Sequence, residues 1–288
     1  MSLRESRIID GEIKVYDKVK VAIDRLKAFE PPEGYWLAFS GGKDSIVIKE
    51  LANMSGVKYD AHYSLTTVDP PELVRFIFDQ HKDVIVEKPK KTMWQLIVDH
   101  CTPPTRLVRY CCSELKEANG RGRVTMTGVR WSESSYRKNN RNLVDIGMGR
   151  KDKNGIVYND ENDESRRMVE QCYRTQLTLV NPIIDWTDDD VWQFIRENKI
   201  SYCKLYDEGF DRLGCIGCPL SKNAETELNR WSTYRQAYLT AFEKMIARRK
   251  EKGLTTMASW KTPQDVMDWW LQKNKQEKQF EGQIEMEE

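Results

Sequence analysis

An α/β fold, a parallel five-stranded sheet with helices on both faces, is predicted by three features of the sequence. Short apolar runs alternate with helix-period stretches between residues 35 and 197. One of those runs leads directly into a glycine loop that opens a helix, Ser40-Gly41-Gly42-Lys43-Asp44-Ser45. The chain's 288 residues suit one large domain with an appendage. Strands alternating with helices form a parallel sheet covered on both sides, and ligands bind at its carboxyl edge.

In chain order, Ile9, Ile13, Tyr16, Val19, Ile23 and Leu26 recur at steps of three and four and predict a helix over 7–29. Pro31, Pro32 and Gly34 stop it, which makes 1–34 an N-terminal helical element. Residues 35–39 read as a buried strand, followed by a helix that Gly56 ends. Strands are expected at 60–66, 84–86, 124–129 and 177–184, with helices at 71–81 and 92–100 between them. Thr187 with Asp190 resembles a capping box for a helix running to Glu197. Residues 138–172 are polar and break the rhythm, as an insertion in an α/β domain spanning 35–218, with a hairpin turn expected at 152–155. Residues 219–288 are expected to be helical. Leu228, Trp231, Tyr234, Tyr238, Phe242 and Met245 keep helical spacing, and a second helix starts at Thr262-Pro263. The tail beyond Lys273 is expected to fray.

Composition excludes several classes. Lys plus Arg is 46 and Asp plus Glu is 45, so the chain is neither a polycation nor an acidic tail. The longest apolar run, 35–39, is far short of the ~20 residues of a membrane span. No apolar signal core is visible near Met1, and a cytoplasmic location is expected. Three histidines without HxxxH spacing argue against a histidine-based zinc hydrolase. Seven cysteines, an odd number, suit ligands, catalytic thiols or core positions better than a disulfide framework.

The loop 40–45 carries the first chemical signal. Two glycines let the backbone approach a phosphate, and the helix start presents N–H donors to an anion. Lys43 adds a mobile cation, Ser45 a hydroxyl, and Asp44 a carboxylate able to orient Mg2+. The spacing is not that of a Walker A loop. The string resembles the PP-loop of the adenine-nucleotide hydrolases. That resemblance implies that Ser40, Gly41, Gly42, Lys43, Asp44 and Ser45 wrap nucleotide phosphates, and that ATP is cleaved between its α and β phosphates.

Cys111-Cys112 and Cys215-Ile216-Gly217-Cys218 are the second signal. Adjacent thiols reach one small ion poorly but can reach two irons of a larger cluster. Four thiolates suit a 4Fe-4S cluster, or less naturally a four-cysteine zinc site. The layout resembles the iron–sulfur branch of the phosphoadenylylsulfate and adenylylsulfate reductases, over roughly residues 30–220. Thr127-Gly128-Val129-Arg130, then Ser132, Glu133, Ser134 and Arg137, also looks like that family's strand-end motif. The resemblance implies that Gly128, Arg130 and Arg137 face the nucleotide, with arginine suited to phosphate or sulfate.

The chain departs from the reductases in two places. Their sulfur-attacking cysteine lies late in the chain, and no cysteine follows Cys218 here. Cys101 and Cys203 read as packing residues. Cys172, near Arg166, Arg167 and Arg174, is the remaining candidate for a nucleophile or sulfur carrier. The loop also keeps its lysine, as ATP-using members do, and an ATP user with a matching cluster is the sulfur-insertion component of DNA phosphorothioation systems. The expected function is therefore ATP-dependent sulfur transfer or adenylylation. Lys43, Asp44, Arg130 and Cys172 are its candidate catalytic residues, and a cysteine desulfurase is a candidate sulfur donor. The alternatives are a thioredoxin-dependent reductase releasing sulfite and a non-catalytic nucleotide- or DNA-binding partner. Residues 104–151 hold eleven Lys/Arg against four Asp/Glu, which fits a phosphate channel, a nucleic-acid groove or a solvated face. Oligomeric state is open, a homo-oligomer included.

Overall fold

The computed structural model describes residues 3–9, 12–116, 120, 122–146, 178–254 and 260–271. The chain folds as two compact units interleaved in sequence. The first comprises Met1–Ser64, Pro71–Glu87 and Asn119–Leu213, and the second Leu65–Pro70, Lys88–Ala118 and Gly214–Glu288.

The first unit opens with β1 (Arg4–Ile9) and β2 (Glu12–Asp17), an antiparallel pair in which Ile8 stands opposite Ile13. Only then does a helix run, from Lys18 to Ala28, with the Asp17 carboxylate accepting from the Lys20 N–H. The helix expected over 7–29 is thus a hairpin followed by a shorter helix. Ile9, Ile13 and Tyr16 satisfy a helical period, but the sequence between the strands is Asp10-Gly11, the strongest short-range hairpin signal.

The main sheet contains β3 (Tyr35–Ala38), β4 (Tyr59–Ser64), β5 (Ile85–Glu87), β6 (Val124–Met126), β7 (Val144–Ile146) and β8 (Thr178–Val180). Their order is β5-β4-β3-β6-β8-β7. Five strands run parallel, and these are the five the alternation predicts. The sixth, β7, pairs antiparallel with β8, Val144 opposite Val180. It falls inside the stretch read as a polar insertion, because three residues with Asp145 between Val144 and Ile146 are too few to carry a period. Leu143 and Val144 are nonetheless buried. Tyr35, Leu37, Val124 and Met126 are buried along the two central strands, as expected where helices cover both faces. The chain reversal after β3 leads into the helix Lys43–Ser55, which ends on Gly56 at φ 74°.

The second unit is helical in its described residues: Met93–His100, Tyr110–Leu115, Ala224–Arg230, Ser232–Glu251 and Pro263–Leu271. The run from Leu228 to Met245 breaks at Trp231 into two helices. Its aromatic core holds Tyr238 4.7 Å from Trp270 and 4.8 Å from Trp94. That core also fixes two loops. Tyr238 Oη donates to the Ile216 carbonyl at 3.0 Å, and Trp270 Nε1 to the Pro104 carbonyl at 2.7 Å. No helix among the described residues is long and apolar enough to cross a membrane.

Candidate functional site

The loop 40–45 follows β3 and opens the helix Lys43–Ser55, in the first unit. Gly41 turns at φ 70°, and a Cβ there would sit 2.7 Å from the Ile77 side chain. Only glycine fits that position, which is why the loop can lie flat on the helix Pro71–Gln80. The loop is knit by its own hydroxyls. Ser45 Oγ accepts from the Ser40 N–H at 3.2 Å and donates to the Gly42 carbonyl at 2.9 Å. Lys43, 5% exposed, has its backbone N–H on Tyr206 Oη at 2.9 Å. Its ammonium donates to the Asp211 carbonyl at 2.8 Å and stands 3.4 Å from Asp188 Oδ1.

The strand-end motif meets this loop. A Cβ on Gly128 would lie 2.8 Å from Asp44 Cβ, so the glycine permits the approach. Arg130, 1% exposed, donates to Asp44 Oδ1 and Asp188 Oδ1, both at 2.7 Å, and to Ser132 Oγ at 2.8 Å. Burial works against the charge of Asp188, yet the Arg130 bond and the Lys43 charge hold its carboxyl below the usual range. Arg137 pairs with Glu133, one turn away on the following helix. Burial first, and then the Arg212 and Arg141 guanidiniums, push Arg137 down to about 10, while Asp44 pulls it the other way. The loop, Lys43, Asp44, Gly128, Arg130 and Arg137 therefore converge in one place, with positive charge crowded on it.

The four motif cysteines come together in the second unit. Cys111 and Cys112 lie on the helix Tyr110–Leu115, and Gly217, at φ 70°, turns the chain between Cys215 and Cys218. A hydrogen bond to Cys112 and burial, and then negative charge on Cys112, Cys215 and Cys218, raise the Cys111 thiol. That bond, with Arg109 and Lys116, draws Cys112 down to about 5. Arg109 reaches Cys112 Sγ at 3.3 Å. Burial raises Cys215 while Lys116 opposes it, and its thiol donates to Thr66 Oγ1 at 3.6 Å. Among the described residues, no group of three or more His, Cys, Asp or Glu side chains is placed to hold a single metal ion.

Cys101 is buried as a helix cap at φ 54°, and Cys203 is fully buried, matching their reading as packing residues. Cys172, the 152–155 turn and the tail beyond Lys273 lie outside the described residues. Among the described residues of the basic run 104–151, several side chains are engaged within the fold. Arg106 donates to the Pro219 carbonyl, Arg123 to Asp60, and Arg141 stands 3.4 Å from Asp145.

Residues 34–221 match the family model described as phosphoadenosine phosphosulfate reductase domain. The chain belongs to the phosphoadenosine phosphosulfate (PAPS) reductase family. Within that PAPS reductase family, an adenosine 5'-phosphosulfate reductase of Oceanobacillus iheyensis is 40% identical over 55 residues, 18% of this chain and 23% of its own. A probable FAD synthase of Caenorhabditis elegans is 24% identical over 229 residues, 74% of this chain and 36% of its own. The phosphate complex of the Candida auris PAPS reductase superposes with a TM-score of 0.44 at 16% identity, covering 67% of this chain and 87% of that one. The chain spans less than half the length of these curated relatives.

Asp188, Tyr206, Asp211 and Lys116 were not legible as site residues, whereas Ser132 belongs to the strand-end motif. Asp188 is masked by its role in a helix start, where an acidic first turn is ordinary. Tyr206 and Asp211 lie more than 160 residues from Lys43, and no local pattern marks them.

Proposed function

We propose that this chain is an ATP-using enzyme that adenylylates an acceptor, releases pyrophosphate into the loop 40–45, and serves sulfur transfer. One observation carries the reading. Lys43, Arg130 and Arg137 are gathered at the glycine loop and held there by Asp188, Asp44 and Glu133, so cations stand in place where a nucleotide's phosphates would lie. A departing pyrophosphate is stabilised by cations already in place, which need no reorganisation during reaction. A probable FAD synthase among the relatives supports an adenylyl-transfer reading, as does the lysine kept in the loop.

Mg2+ accompanying the triphosphate would be held by Asp44 and Asp188, the carboxylates flanking Arg130, and would supply further charge neutralisation. The donor set of Cys111, Cys112, Cys215 and Cys218 fits a 4Fe-4S cluster: two thiols on a short helix and two at a glycine turn, with Arg109 and Lys116 beside the sulfurs. Such a cluster would supply electron storage or a sulfur-binding iron. Arg109 and Lys116 would hold its negative charge in place.

The test is a paired assay on anaerobically purified protein. ATP is expected to bind and yield pyrophosphate with an acceptor and sulfur donor, a cysteine desulfurase being the first donor to try. Adenylylsulfate with thioredoxin is expected to yield little sulfite. The segment shared with the adenosine 5'-phosphosulfate reductase favours the second reading, a reductase. Robust sulfite release that disappears in Cys172→Ser would establish it, because losing the nucleophile of a covalent mechanism costs orders of magnitude.

A further inference from the structure

The helix Lys43–Ser55 begins on Gly42, which offers no side-chain cap. Its first N–H groups need acceptors from elsewhere. For Lys43 that acceptor is the hydroxyl of Tyr206, at 2.9 Å, from a turn 163 residues downstream. The same short segment takes the other donor of this residue, since the Asp211 carbonyl accepts from the Lys43 ammonium at 2.8 Å. Both oxygens are neutral, and both sit on donors that a phosphate oxygen would use.

Tyr206 is held for this placement. Its ring lies 5.1 Å from Trp192, edge to face, and its carbonyl accepts from the Gly209 N–H at 3.2 Å. Its hydroxyl comes within 3.5 Å of where a Cβ on Gly42 would stand, so it closes over the loop. The Lys43 ammonium lies 5.6 Å from the centre of the same ring.

We infer that Tyr206 Oη and the Asp211 carbonyl are internal substitutes for phosphate oxygens, occupying the amide and ammonium of Lys43 until a nucleotide's phosphates displace them. The inference rests on the reading of 40–45 as a phosphate loop. A charged phosphate oxygen makes the stronger hydrogen bond and wins the exchange. Without a ligand, the Tyr206 hydroxyl satisfies the Lys43 amide, and the Asp211 carbonyl shares the ammonium with Asp188 Oδ1, 3.4 Å away. The binding-competent arrangement is then a minority state, and apparent affinity is reduced by its population.

The experiment titrates inorganic pyrophosphate into the full chain, its Tyr206→Phe variant and its Lys43→Ala variant by calorimetry. Thermal melts and hydrogen exchange of the 204–211 peptide accompany it. Tyr206→Phe keeps the ring and removes the substitute oxygen. It is expected to melt lower than wild type without ligand, yet to bind pyrophosphate about three- to tenfold more tightly, the weight of one neutral hydrogen bond. In wild type, residues 204–211 are expected to exchange faster once pyrophosphate is bound. Weaker binding by Tyr206→Phe would make the hydroxyl a direct phosphate ligand and overturn the inference, as would unchanged affinity. Unaltered or slower exchange of 204–211 in wild type overturns it as well, and this arm needs no variant to fold. Failure of the phosphate-loop reading looks different: pyrophosphate then binds to no form, or binds Lys43→Ala as well as wild type, and the inference falls with it.

Discussion

At the scale of single residues, Lys43 shows how a buried cation is kept usable. It is almost fully buried, yet its ammonium faces a carbonyl and a carboxylate rather than apolar atoms. Lys43→Ala is expected to weaken ATP binding by about 1–3 kcal/mol, the scale of a charge-assisted contact, as read by calorimetry. Unchanged affinity would place the nucleotide elsewhere. His81 gives a second residue-scale expectation. Its Nδ1 stands 3.2 Å from the Lys49 ammonium, and Phe39 and Phe76 pack edge-on to the ring. Burial, and then the Lys49 charge, pull its pKa down to about 4 from 6.5. The folded state therefore binds this proton less readily than the unfolded chain. Stability from this site is complete above the unfolded value of about 6.5 and is lost progressively as pH falls towards 4. Urea midpoints measured from pH 7.5 to 5 are expected to decline in wild type and to decline less in His81→Phe.

At the scale of elements, the unit that builds the site is strand, glycine loop and helix. Its alignment depends on Gly41, where a left-handed φ and contact with Ile77 and Leu73 coincide. Gly41→Ala combines a left-handed penalty with overpacking of two buried side chains, and is expected to cost about 2–4 kcal/mol in denaturant unfolding. Wild-type stability would show that the loop has freedom to shift. This element was legible because every part of it is local: an apolar run, two glycines and a helix start within twenty residues. The N-terminal hairpin was not read, because its isoleucines satisfy two periods at once. β7 was not read because its three residues gain their meaning only from pairing with β8.

At the scale of the whole molecule, the cysteines are the feature most exposed to test. Cys111 and Cys215 are more than a hundred residues apart, and the fold brings them together. Protein purified without oxygen is expected to be brown, with broad absorbance near ~400 nm from ferric thiolates. Serine at position 111, 112, 215 or 218 is expected to bleach it, and Cys101→Ser, at a helix cap, to leave the colour. A colourless protein with one zinc per chain would refute the cluster. From sequence alone the five parallel strands, the glycine string Ser40–Ser45 and the two cysteine pairs could be read, because each is written in short-range spacing of residue types whose chemistry is fixed. Tertiary structure alone decided that Arg130 is buried between Asp44 and Asp188, that Tyr206 and Asp211 occupy Lys43, and that Lys116 stands by Cys215. Those pairings join segments tens to more than 160 residues apart. Which charge meets which is set by strand order and loop path, and no local propensity encodes it.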